Sequence, residues 1–230
     1  MIEIHDVRAV VTDIEGTTTS LDFVQEVLFP YARQSMAEYV RTHGSQIGDI
    51  TAETAAIVGR SDLEARELTQ ILLRWMDEDR KVTPLKTLQG RIWRMGYESG
   101  QLQGHVYDDA VRALRSWHES GLRLYIYSSG SIEAQKLLFS HTQHGDLTPL
   151  FSGYFDTTTG PKQQPSSYER IADSLALAAS SIVFLSDHAG ELRAAASAGM
   201  QTVLVARERP RDANEPFANN FEDVALHMTP

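Results

Sequence analysis

Seven residues of this 230-residue chain have side chains suited to phosphate chemistry: Asp13, Glu15, Ser128, Ser129, Lys162, Asp187 and Glu191. The first two lie in VVTDIEGTTTS (10–20), where an apolar run ends in Asp13 and Glu15 follows one residue later. Carboxylates this close repel, which is tolerable when a cation sits between them or one keeps a proton. Residues two apart in a strand share a face, with Cα atoms roughly 6.5–7 Å apart, so both are expected to look toward one site. Asp13, Asp187 and nearby oxygens form a hard-oxygen set that suits Mg²⁺. Ser128 and Ser129, just ahead of a helix starting near Ser131, are suited to gripping phosphate oxygens. Lys162, behind Gly160-Pro161, is a point charge that binds phosphate and steadies an anionic nucleophile. Singly, each has a plain explanation as a cap or a solvated side chain. Four such groups at four successive strand ends are hard to explain as capping.

The elements that must position these residues read as strands alternating with helices. RAVVTD, LRLYIYSSGS (122–131), SIVFLSDHAGE (181–191) and QTVLVA (201–206) are short apolar runs that stop at polar or small residues. Between them, DDAVRALRSWHESG sets Val111, Leu114 and Trp117 or His118 at helical spacing and ends at Gly121, and AGELRAAASAG ends at Gly199. This alternation predicts a mostly parallel sheet covered on both faces, whose ligands bind beyond the carboxyl ends of the strands. Residues 20–105 break the rhythm with about four helices and no strand. Asp22 with Gln25, and Ser61 with Glu64, have capping-box spacing. Pro30 is expected to restart a helix and Thr83-Pro84 to open another. On that last helix Leu85, Leu88, Ile92 and Met95 share one face, and Lys86, Gln89, Gly90, Trp93 and Tyr97 the other. The expected organisation is an α/β core (1–20 and 105–230) with an all-helical cap (21–104) inserted after the first strand, lying over that strand's end.

Composition limits the partners. With 31 acidic residues against 21 basic, the net charge is −10, which disfavours nucleic acid and anionic membrane. An anionic substrate then needs locally placed cations. There is no cysteine, so disulfides, thiolate metal sites and cysteine nucleophiles are excluded. MIEIHDVRAV lacks the basic start and apolar core of a signal peptide, and no apolar run approaches the ~20 residues of a membrane helix. A soluble, cytoplasmic protein is expected. The tail from residue 207 reads as loop, and His188 as a loop residue rather than a base.

DIEGTT, YSSGS, GPK and SDHAGEL, in this order, resemble the four motifs of the haloacid dehalogenase-like phosphatases, over roughly residues 5–20 and 105–206. The resemblance implies a Rossmann-like core and a nucleophilic Asp13 that forms an aspartyl-phosphate. It implies Glu15 as general acid and base, and Ser128 and Lys162 as the grip on the phosphoryl group. It also implies Mg²⁺ held by Asp13, Asp187 and the Glu15 main-chain carbonyl, with Glu191 supporting the site. Most of that superfamily carries Asp at the position of Glu15. The Glu, together with LKTLQGRIWRMGY, is similar to the enolase-phosphatases of methionine salvage. These convert 2,3-diketo-5-methylthiopentyl-1-phosphate to an acireductone and phosphate, by enolisation and then dephosphorylation.

Lys86, Gln89 and Trp93 are candidates for the non-phosphate end of such a substrate, each with packing as the competing explanation. A monomer acting on a small phosphorylated diketone is expected. Four alternatives stay open on sequence: a phosphomonoesterase of the same fold with another substrate, a dehalogenase proper, a receiver-type phospho-acceptor domain, and a catalytically inactive binding module. A receiver is about half this length and has no helical insertion. Dehalogenation needs neither a metal nor an acid at position 15.

Overall fold

The computed structural model describes residues 1–207 and 217–228. They form two compact units, one made of Met1–Leu21 with the chain from Gly104 onward, the other of Asp22–Gln103.

In the first unit, β2 (Ala9–Thr12) is the central strand of a five-stranded parallel sheet. β3 (Arg123–Tyr127) and β5 (Ile182–Ser186) flank it, and β4 (Phe151–Phe155) and β6 (Gln201–Leu204) lie outside them. All four residues of β2 are buried, as expected of a parallel strand covered on both faces. Ala9, Val11, Tyr125, Tyr127, Ile182 and Phe184 pack on one side against Tyr168 and Ile171 of α7 (Pro165–Leu175) and Leu192 and Ala195 of α8 (Ala189–Ser197). The chain crosses from β4 back past β3 and β2 to reach β5. The sheet therefore changes winding direction at β2, the place where such folds hold ligands. α5 (Asp108–Glu119) buries Val111, Leu114 and Trp117 while His118 is exposed, which settles the choice between the last two. Gly121 and Gly199 take φ of +90° and +86° after their helices, a conformation that costs glycine little.

The tail is not all loop. Ile2–Ile4 (β1) and Val224–Leu226 (β7) pair in parallel as a separate two-stranded sheet. Each is three residues long, too short to carry a readable alternation. Phe221 is fully buried, and its ring stacks on Trp117 at 5.6 Å. Residues 208–216 and 229–230 of that tail lie outside the described residues.

The second unit holds α1 (Phe29–Thr42), α2 (Gly48–Ile57), α3 (Ala65–Asp77) and α4 (Thr83–Glu98). Met36, Ile50, Leu72, Trp75, Leu88 and Ile92 meet in its core. Three local expectations need correction. Asp22 makes no side-chain cap. The segment Phe23–Leu28 is instead a wide helical turn in which Phe29 N–H donates to Val24 O, five residues back. It runs directly into α1, which begins with Pro30 in its first turn, as expected; the proline cannot donate to the ladder, and the ladder widens just before it. The capping box lies three residues later than Ser61–Glu64: Glu67 Oε2 accepts from the Glu64 N–H at 3.2 Å. On α4, Leu85, Leu88 and Ile92 are buried but Met95 is exposed, while Gln89 and Tyr97 are buried.

Candidate active site

β2 delivers Asp13 to the centre of the sheet's carboxyl end, where its backbone N–H bonds the Leu185 carbonyl of β5 at 2.9 Å. The chain then turns at once. The N–H groups of Thr17, Thr18 and Thr19 all converge on the Ile14 carbonyl, and Gly16 takes φ +73°. β2 ends at Thr12, so strand alternation does not extend to Glu15. The turn places that side chain, not the pleat, and Glu15 is partly buried.

The Asp13 side chain is 9% exposed. Oδ1 accepts from the Ile14 N–H at 2.7 Å and lies 2.7 Å from Lys162 Nζ. The same ammonium is 2.6 Å from Glu191 Oε2. Ser186 Oγ stands between the carboxylates, 3.1 Å from Glu191 Oε2 and 3.4 Å from Asp13 Oδ2. Burial works against the Lys162 charge, but Asp13 and Glu191 together outweigh it and raise its pKa above the ordinary value. Glu191 is raised by burial and by the Asp13 charge, with Lys162 opposing.

Lys162 reaches this position because its backbone is held from three sides. Tyr127 OH donates to the Gly160 carbonyl at 2.8 Å, Ser167 Oγ to the Pro161 carbonyl at 2.8 Å, and Tyr168 OH to the Lys162 carbonyl at 2.7 Å. Gly160 has φ +145°, and a Cβ there would overlap Ser167 Oγ, so the turn requires glycine. Ser128, directly after β3, is buried. Its Oγ accepts the Gly130 N–H at 3.2 Å, which leaves its own proton to donate. Ser129 is exposed, and Ser131 caps α6 (Ile132–Ser140) through the Ala134 N–H at 3.2 Å.

Asp187 follows β5, its N–H bonded to Thr17 Oγ1 at 3.0 Å. It lies at the open rim of the site, yet the protein around its carboxyl, and then the Asp13 charge, raise its pKa. A Cβ on Gly16 would overlap the Asp187 carboxylate, so glycine lets the carboxylate lie against the turn's backbone. Two crowded carboxylates beside the backbone of the Glu15–Gly16 turn make an oxygen-only donor set that fits a hard divalent cation.

Four of the sequence-predicted residues therefore gather as two linked groups. Asp13, Lys162 and Glu191 are in direct contact, and Asp187 is fastened to the DIEGTT turn. Lys86 is exposed on α4 in the helical unit. The Trp93 indole N–H is committed to the Leu28 carbonyl at 2.8 Å, which removes it as a polar substrate contact. Several contributors were not legible. Ser186 reads only as the last residue of a strand. His188 proves to cap α8, its Nδ1 accepting the Gly190 and Glu191 N–H groups at 3.1 and 3.3 Å. Arg207 holds the Thr17 carbonyl through Nη2 at 2.6 Å and both Asp109 oxygens through Nη1 at 2.7 Å.

Comparison with known proteins gives a consistent result. A haloacid dehalogenase-like hydrolase family model matches residues 7–199. Enolase-phosphatase E1 of Pseudomonas aeruginosa (strain UCBPP-PA14) is 51% identical over 223 residues, spanning 96% of this chain and 99% of that protein. Enolase-phosphatase E1 of Methylococcus capsulatus is 54% identical over 221 residues, spanning 95% and 97%. The crystal structure of the UTR4 protein from Saccharomyces cerevisiae superposes with a TM-score of 0.80 at 33% identity, covering 96% of this chain and 97% of that one.

Proposed function

This chain belongs to the haloacid dehalogenase-like hydrolases and, within them, to the enolase-phosphatases; from that premise we infer that it converts 2,3-diketo-5-methylthiopentyl-1-phosphate to the acireductone 1,2-dihydroxy-3-keto-5-methylthiopentene and phosphate. The observation that carries the phosphatase half is the single ammonium of Lys162, shared between Asp13 and Glu191, all three side chains nearly buried, at the carboxyl end of the sheet.

The Ile14 amide and Lys162 fix one oxygen of the Asp13 carboxylate, orienting it as a nucleophile toward phosphorus. Asp13 attacks, the P–O bond to the enol oxygen breaks, and Glu15 supplies the proton that leaves with that oxygen. Ser128, with its proton free to donate, and Lys162 hold the phosphoryl oxygens, and the exposed Ser129 stands beside them. Glu15, now a carboxylate, takes a proton from the water that attacks the aspartyl-phosphate, which restores Asp13. Asp13, Asp187 and the Glu15 main-chain carbonyl would hold Mg²⁺. When bound, it offsets the charge on the carboxylates and phosphate and stabilises an enolate.

Among the described residues no helix is long and apolar enough to cross a membrane. The reading is of a cytoplasmic monomer acting on a free small molecule, without nucleic acid or membrane. Acid quenching during turnover of a ³²P-labelled substrate tests the covalent step. Label recovered on the peptide containing Asp13, and absent from Asp13→Asn, supports it; phosphate released with no labelled protein at any time overturns it.

A further inference from the structure

Both ends of the described chain come together away from the catalytic turn. The residues that follow the paired strands β1 and β7 are His5 and His227, and the backbone is locked there. His227 N–H donates to the Ile4 carbonyl at 2.8 Å and Val7 N–H to the His227 carbonyl at 3.0 Å. Gln201 Nε2 bonds the His5 carbonyl at 2.7 Å. The two imidazoles stack with centroids 4.6 Å apart and planes 15° from parallel. Glu3 Oε2 is 3.5 Å from His227 Nε2 and 4.0 Å from His5 Nε2. One ligand atom from each of the three residues lies within 4.8 Å of the other two, and all three residues are exposed.

We propose that Glu3, His5 and His227 form a surface site for a divalent transition ion, distinct from the Mg²⁺ site at Asp13. Two imidazole nitrogens with one carboxylate suit Zn²⁺, Ni²⁺ or Cu²⁺, and Mg²⁺ prefers all-oxygen donors. Bond lengths of about 2.0–2.2 Å place neighbouring ligand atoms roughly 3.0–3.5 Å apart. The Glu3–His227 pair is at the edge of that range already, and the Glu3–His5 pair must close slightly. A metal must also lie in the plane of each imidazole that binds it, which nearly parallel rings do not allow. Binding therefore fans the two rings out of their stack, a rotation that side chains 67% and 48% exposed can make. The backbone needs no change, because the β1–β7 ladder and its flanking bonds already hold the two histidines side by side. An ion bound there ties the first strand to the last and stabilises the fold by mass action.

The test uses the untagged full chain in millimolar Mg²⁺, titrated with Zn²⁺ or Ni²⁺ alone. The expected results are one ion bound per chain, affinity at least tenfold weaker in His5→Ala and in His227→Ala, and a melting temperature raised by on the order of 5 °C at saturating ion in the parent only. In the parent, imidazole NMR signals of His5 and His227 shift selectively, a readout that needs no variant. Phosphatase activity in Mg²⁺ is expected to be unchanged in both variants, since neither residue lies in the catalytic machinery. Binding that survives both substitutions, binding lost instead with Asp187→Asn, or unmoved His5 and His227 signals each overturn the proposal.

Discussion

Lys162 and Glu191 form an ion pair of 2.6 Å whose side chains are only 10% and 12% exposed, and the same ammonium reaches Asp13 at 2.7 Å. Buried pairs of this kind contribute little net stability but are costly to break from one side. Here the geometry aims a cation at the nucleophile. Lys162→Met leaves two carboxylates buried together, so it is expected to destabilise the fold by about 3–5 kcal/mol and to abolish phosphate release. Adding Glu191→Leu should recover part of the stability in a denaturant melt and none of the activity.

Glu191→Gln keeps the size and a hydrogen-bond acceptor but removes a charge. Lys162 would then be positioned less firmly against Asp13. A fall in kcat on the order of tenfold or more is expected, by analogy with residues that orient metal ligands. KM should change little, and a larger effect on KM than on kcat would speak against an orienting role.

Arg207 clamps the catalytic turn from behind. Its guanidinium bonds Asp109 and Thr17 and lies 3.9 Å over the Tyr107 ring, and Thr17 in turn fixes the Asp187 amide. Lysine cannot reproduce the planar fork or the stacking. Arg207→Lys is expected to cost about 1–3 kcal/mol of stability and to raise the Mg²⁺ concentration needed for half-maximal activity.

Gly16→Ala tests the fit of the turn. The new Cβ must overlap the Asp187 carboxylate at a φ that alanine adopts at a cost. A weaker Mg²⁺ requirement, or an unchanged one, would contradict the placement of Asp187 beside the turn as a ligand.

His105 gives a pH dependence of stability with a defined sign. Its Nδ1 accepts the Ser20 N–H at 3.3 Å, and burial, followed by the Arg207 charge, lowers its pKa below the usual value of 6.5. The unfolded chain therefore binds this proton more readily than the folded one. The folded state loses stability as pH falls below about 6.5, until His105 is protonated in both states, and nothing is lost above that pH. His105→Asn keeps an acceptor near Nδ1, so the drop in melting temperature between pH 7.5 and 5.5 should be smaller than in the parent.

The part of the site that was legible in sequence is the part written locally. An apolar run that stops at Asp13, Ser128 or Asp187 announces both a strand and what stands at its end, and three such stops in order, with Lys162 between the last two, make a site. Lys162 needed only the turn-forming Gly160-Pro161 before it. Less local features did not show. Arg207 is one charged residue in a polar tail until Thr17, Asp109 and Tyr107 surround it. The three-residue strands β1 and β7 exist only because they find each other. The caps on the helical unit shifted because spacing alone does not tell Ser61–Glu64 from Glu64–Glu67. Pleat alternation does not extend to Glu15 because β2 stops at Thr12 and the turn takes over.

The most direct measurement of the central claim follows enol absorbance and free phosphate together on a diketo-alkyl phosphate analogue, in Mg²⁺ and then in chelator, for the parent and Asp13→Asn. The parent is expected to form enol and release phosphate only with Mg²⁺, and Asp13→Asn to release none. An analogue left untouched while simple phosphate esters are hydrolysed would contradict the substrate, and full phosphate release by Asp13→Asn would contradict the nucleophile.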